Sequence, residues 1–274
     1  MATAADDIAL GRGEGGGFTA FVDRWIYVFM AGLFIVTVLL GFVPDSSALL
    51  ADVATGKHPP LPAVLHVHAV LMGSWLLLLF AQATLMATGR RDFHMQLGLL
   101  GVVLAPAMIV AGVLLMLTRD GQLIDGIRHG PPALAAQLRT HLPVALDIML
   151  IQIRAAIVFG ALVATALILR KSDSEVHKRL MFLATAAPLP AATDRMTWLP
   201  SSIPASPLTV ELWPLVVLAP LILWDLYRQK GIHRAYWIWL AVAIIPAAAM
   251  HLLWGTPGWF KTALGILGAG DLAQ

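Results

Sequence analysis

His66-Val67-His68-Ala69-Val70-Leu71-Met72-Gly73-Ser74-Trp75 opens a long uncharged run that closes on the basic turn Arg90-Arg91-Asp92-Phe93-His94. An apolar run of about 20 residues is what a membrane-crossing helix requires. The stretch also carries chemistry, because ionisable side chains are costly beside hydrocarbon and mark functional candidates when they occur there. From His68 to Arg90 the chain advances 22 residues, about 33 Å at helical rise. His68 and His94 therefore belong to opposite ends of one crossing and cannot share a metal ion.

The rest of the chain has the same character. Of 274 residues, 59% are hydrophobic and 12% charged, whereas soluble domains are about a quarter charged. The expected class is an all-α integral membrane protein. A net charge of +2 gives no reason to expect a nucleic-acid partner, and the absence of cysteine excludes disulfides, thiolate ligands and a thiol nucleophile. Seven stretches are long enough to span: residues 22–43, 62–87, 95–117, 143–169, 178–199, 209–228 and 235–254. Residues 1–17 read as a disordered N-terminal tail without the basic region of a signal peptide. Residues 18–260 read as one transmembrane helical domain, and 261–274 as a short C-terminal tail.

Punctuation sets the expected ends. Pro44-Asp45 closes the first segment, and Pro62 suits the first turn of the second, where its missing N–H costs nothing. Asp92 is a cap for the third. Loops are expected up to Pro60 and from Arg119 to Leu142; Pro143 opens the fourth segment, and Pro188 with Pro190 kinks the fifth. The turns after the second, fourth and sixth segments hold nine basic residues: Arg90, Arg91, Arg170, Lys171, Lys178, Arg179, Arg228, Lys230 and Arg234. The opposite loops hold Lys57, Arg119, Arg128 and Arg139. That asymmetry predicts an N-terminus inside and a C-terminus outside, in contact with lipid as a multi-pass protein of the bacterial inner (cytoplasmic) membrane.

Helical rise sorts the polar residues into two levels. On the inner one, His94 and His177 each follow a basic turn, with Arg90, Arg91, Lys178 and Arg179 around them. Two neutral imidazoles from different helices suit the axial positions of haem iron, and the cations suit its propionates. The same residues also suit a plain interface with anionic lipid headgroups. On the outer level lie His66, His68, Asp147, Arg154, Asp194, Arg195, Glu211 and His251. Positions i and i+2 point about 200° apart on a helix, so one of His66 and His68 faces any given site, and His68 is the choice. A structural ion-pair network, with Asp147 bound to Arg154 or Arg195, and a haem, metal or proton site both fit this level. Asp225 is placed to pair with Arg228 one turn on. No Walker loop, nucleophile elbow, His-Glu-x-x-His or dinucleotide fingerprint occurs.

His68-Ala69-Val70-Leu71-Met72, the turn, His94 and the glycine-bearing segment after it resemble the cytochrome b-561 type of transmembrane haem protein, whose corresponding segment reads His-Pro-Val/Leu-Leu-Met. The chain is also similar to bacterial multi-helix membrane proteins with a His-Lys-Arg-Leu-Met segment like that at His177 to Met181. The b-561 resemblance implies a four-helix core, segments two to five, holding two haems b and passing electrons across the membrane, to quinone or another redox protein. It implies His94 with His177 on one haem and His68 with His141 on the other, with Arg90 and Arg179 nearby. His141 stands before Pro143, about 9 Å above the level of His68. Two other readings stay open. One is a hydrolase or oxidase holding Zn or Fe on His68, Asp147, Asp194 and His251. The other is a non-enzymatic transporter or accessory subunit using Asp147, Arg154 and Asp194.

Overall fold

The computed structural model describes residues 4–273, with side chains from Gly17 onward, so the expected tail at 1–17 lies almost wholly outside the residues described in full. Apart from one short 3-10 turn, every regular element among the described residues is an α-helix: α1 (Ala4–Ala54), α2 (Ala63–Ala87), α3 (Arg91–His129), α4 (Pro132–Leu169), α5 (Ser174–Ala186), α6 (Pro190–Thr193), α7 (Leu208–Gln229), α8 (Arg234–Leu253) and α9 (Pro257–Ile266). Six of these, α1 to α4, α7 and α8, are long and apolar enough to cross a membrane. The protein is an all-α, multi-pass membrane protein.

The fifth crossing, expected as one kinked helix over 178–199, is broken. Pro188 and Pro190 lack the N–H that would continue the ladder. The turn after Ala186 tightens instead, with Ala187 N donating to Ala184 O (3.0 Å) and Leu189 N to Ala186 O (3.1 Å). The chain nonetheless travels from end to end: Asp173, just before α5, pairs with Arg234 at the start of α8, and Arg195, just after α6, donates to Asp45 Oδ2 at 3.0 Å. Irregular backbone is tolerated at membrane depth only where protein covers it, and Leu180, Leu183, Ala184, Ala187 and Leu189 are all buried.

Helices α2 to α5 pack in sequence, α2 on α3, α3 on α4 and α4 on α5, as the expected four-helix core. Trp75 links α2 to α5, donating from Nε1 to Thr185 Oγ1 at 3.0 Å, while its ring meets Phe159 of α4 edge-on at 5.1 Å. Around this core, α1 buries Met30 and Phe34, and α7 buries Leu218 and Leu221. Gly41 lets α1 cross the main chain of α6, since a Cβ there would collide with the Ala192 carbonyl group.

Three expected boundaries move outward. The first helix runs through Pro44 to Ala54, α3 runs to His129, and α4 starts at Pro132 with Pro143 inside it. At 39 residues α3 is about 58 Å long, roughly twice the hydrocarbon thickness. The expected loop from Arg119 to Leu142 is therefore mostly a projecting helical hairpin, stabilised by a second apolar core. Ile124 and Ile127 of α3, Leu142 and Leu146 of α4, and Trp259, Ala263 and Leu264 of α9 build that core. The C-terminal residues beyond 261 are folded onto it, with Arg128 Nη2 donating to Gly268 O at 3.2 Å and pairing with Asp271.

Candidate functional site

At the basic end, His94 lies in the first turn of α3 and His177 in the first turn of α5. His177 Nδ1 is 2.8 Å from Ala166 O of α4; a carbonyl only accepts, so Nδ1 carries the hydrogen and Nε2 keeps its lone pair. His94 lies near the Gln82 main chain of α2 and at the same end of the bundle as His177. His94 Nδ1 and Gln82 Oε1 are both buried without a hydrogen-bond partner. Gly98, one turn beyond His94, makes room for Gln82, whose Nε2 is 3.3 Å from where a Cβ would stand. The structure places the inner histidines at one end and sets Gln82 beside His94, a neighbour the sequence did not single out because its only signal was one amide in an apolar run.

The neighbouring cations are differently employed. Arg179 is buried and forms a bidentate pair with Asp225 of α7, Nε to Oδ2 at 2.7 Å and Nη2 to Oδ1 at 2.6 Å. Its Nη1 donates to Glu175 Oε2 at 2.7 Å, and Tyr236 OH of α8 donates to Asp225 Oδ2 at 2.6 Å. Arg179 is thus not free for a propionate. Removing one partner of such a buried pair costs about 3–5 kcal/mol, because the other charge is left uncompensated. The expected Asp225–Arg228 pair does not form; Arg228 Nη2 instead meets Asp23 Oδ2 of α1 at 2.8 Å. Arg90 stays exposed, at one end of an apolar groove of about 740 Å³ between α2 and α3 that Phe80, Leu85, Phe93 and Leu97 also line. His233, in the turn before α8, caps that helix by accepting from Ala235 N at 3.1 Å, and burial with the Arg179 charge pushes its imidazole below the usual range.

The other end does not assemble as expected. His68 packs on Gly112 of α3, 3.5 Å from where a Cβ would stand, with its Nδ1 buried and unpartnered. His141 and His66 are exposed. The predicted quartet is scattered. Asp147 is buried and accepts from Gly255 N at 2.9 Å, while Asp194 and His251 are exposed. No group of three or more metal-ligating side chains is gathered among the described residues. Asp147 pairs with neither Arg154 nor Arg195; its Oδ1 instead accepts from Gly255 N in the turn after α8. Arg154 instead pairs with Glu211 of α7, and Arg195 with Asp45.

The donor types at the basic end fit an axial pair for one haem b: two imidazoles from different helices, one with its Nδ1 held by a main-chain carbonyl, as ligating histidines are. At the far end the expected partner of His68, His141, is exposed, and no such arrangement of the two is described. No protein-family model, no curated protein and no solved structure matches the chain. The functional reading rests on these residues alone.

Proposed function

We propose that the protein is a redox carrier of the bacterial cytoplasmic membrane that binds one haem b at its basic end, facing the cytoplasm, through His94 and His177. The observation that carries this reading is the placement of one histidine in the first turn of α3 and one in the first turn of α5, at the same end of the bundle, with His94 Nδ1 buried and unpartnered and His177 Nδ1 engaged by Ala166 O. When bound, haem supplies reversible one-electron chemistry. The residues of the chain orient the ligands and exclude water: Ala166 O fixes the His177 tautomer, and Gln82 lies beside His94. The groove between α2 and α3 is open to lipid and ends at Arg90, a shape and polarity that suit a membrane-soluble carrier such as a quinone.

The test is a visible absorption spectrum of detergent-purified protein. A Soret band with reducible α and β bands is expected, lost in both His94→Ala and His177→Ala and retained in His68→Ala and His141→Ala. A protein that is colourless when produced with ample haem overturns the proposal.

A further inference from the structure

The groove between α2 and α3 suits a membrane-soluble carrier by its shape, and its charge points to a further occupant. Phe80, Ala81 and Leu85 of α2 and Phe93, Leu97 and Leu100 of α3 line it, with Arg90 at one end. Phe80, Phe93 and Leu100 are exposed, so the groove opens sideways towards hydrocarbon. From Arg91 to Leu100 the helix advances nine residues, about 14 Å. That is roughly half of a hydrocarbon layer about 30 Å thick. The groove therefore has the reach of one leaflet, measured from the basic end.

The cations at that end divide by what they hold. Arg179 is bound to Asp225 and Glu175, Lys178 to Glu175, Arg228 to Asp23 and Arg234 to Asp173. Arg90 and Arg91 are exposed and enter no ion pair among the described residues. Arg24 of α1 stands beside the same turn, its Nε donating to Ala87 O at 2.6 Å. Three arginines thus meet one exposed carboxylate, Asp92, which leaves positive charge uncompensated at the mouth of the groove. Arg170, Lys171 and Lys230 also lack an ion pair among the described residues, but none of them lines the groove. A phosphodiester carrying fatty chains answers both features. Its oxygens accept from guanidinium groups, and one chain covers the apolar length. Basic pockets between helices at a membrane surface hold anionic headgroups in this way. A zwitterionic lipid fills the apolar part as well but brings its own cation to the arginines.

We propose that the groove between α2 and α3 binds one anionic glycerophospholipid, with its phosphate on Arg90 and Arg91 and one acyl chain along Ala81 and Leu97. The lipid is the resident occupant, which a carrier entering the groove must displace. No covalent bond changes. The site makes no use of the histidines, so a colourless protein that retains the lipid sinks the haem proposal and keeps this one.

Native mass spectrometry of the full-length protein in detergent, titrated with phosphatidylglycerol or with phosphatidylcholine of the same chains, tests it. One phosphatidylglycerol should bind at least about fivefold more tightly than phosphatidylcholine, a preference that weakens with salt. Arg90→Gln with Arg91→Gln should abolish the preference and leave the melting temperature unchanged, since neither side chain holds another. Lys171→Gln with Lys230→Gln removes as much charge from the same end and should leave the preference intact. Ala81→Phe, which fills the groove, should weaken the binding of both lipids. Equal binding of the two lipids, equal losses in the two double variants, or full binding in Ala81→Phe overturns the proposal. So does purified protein that retains stoichiometric quinone and no phospholipid.

Discussion

Asp225 accepts from Arg179, Tyr236 and, at 3.4 Å, Gln229, so one carboxylate in α7 organises side chains from α5, α7 and α8. That cluster puts the Arg179 charge near His233, whose neutral imidazole caps α8. A folded-state pKa below the ordinary value of about 6.5 means the folded protein prefers neutral His233. Its contribution to stability is complete above about pH 6.5 and is lost as pH falls through the lower folded value. Acidification from about pH 7 to about pH 5 should therefore lower Tm, by no more than about 2–4 °C for a cap worth about 1 kcal/mol. In His233→Asn, whose side chain caps without titrating, that part of the pH dependence should disappear from thermal melts followed by circular dichroism; an unchanged pH profile would refute it. None of these partners was legible in the sequence. Asp225 lies one turn from Arg228, and only the packing of α5 against α7 makes Arg179, 46 residues away, the better neighbour.

Among the elements, α1 and α6 cross at a point where only glycine fits. Gly41→Ala places a methyl group against the Ala192 carbonyl, a main-chain group with no rotamer to yield. Overpacking of this kind costs about 1–3 kcal/mol. A fall in Tm is expected for Gly41→Ala and none for Gly32→Ala, whose added methyl meets only the Phe80 ring at 3.9 Å; equal melts would show that α1 and α6 do not cross as described. The helices themselves were largely readable, because hydrocarbon imposes length and composition on anything that crosses it. Their ends were not. Beyond the hydrocarbon that constraint lapses, and α3 continues through Thr118-Arg119-Asp120-Gly121 because a neighbouring helix and α9 cover its apolar face. Pro44 and Pro143 misled for a related reason: a proline removes one ladder bond, which a long, packed helix absorbs. At Pro188 and Pro190 two such losses fall within three residues, and the helix gives way.

Taken whole, the molecule has two apolar cores stacked along the bundle, one among the crossings and one under the projecting hairpin. The C-terminal segment seals the second, through Trp259 Nε1 donating to Leu146 O at 2.8 Å and the Arg128–Asp271 pair. Removing residues 257–274 should expose Leu146, Met149 and Val210, so the truncated protein should melt lower and aggregate in detergent on size-exclusion chromatography; a monodisperse protein with the full-length Tm would contradict this. The bundle around that seal is not uniformly stiff. A continuous helix behaves as a rod, passing a twist applied at one end to the other through its ladder of hydrogen bonds. The fifth crossing changes pitch instead, its α-helical turns giving way after Ala186 to tighter three-residue turns. Its first half is held to α7 by Arg179 and its end to α1 by Arg195, so bending between the two ends should concentrate at that joint.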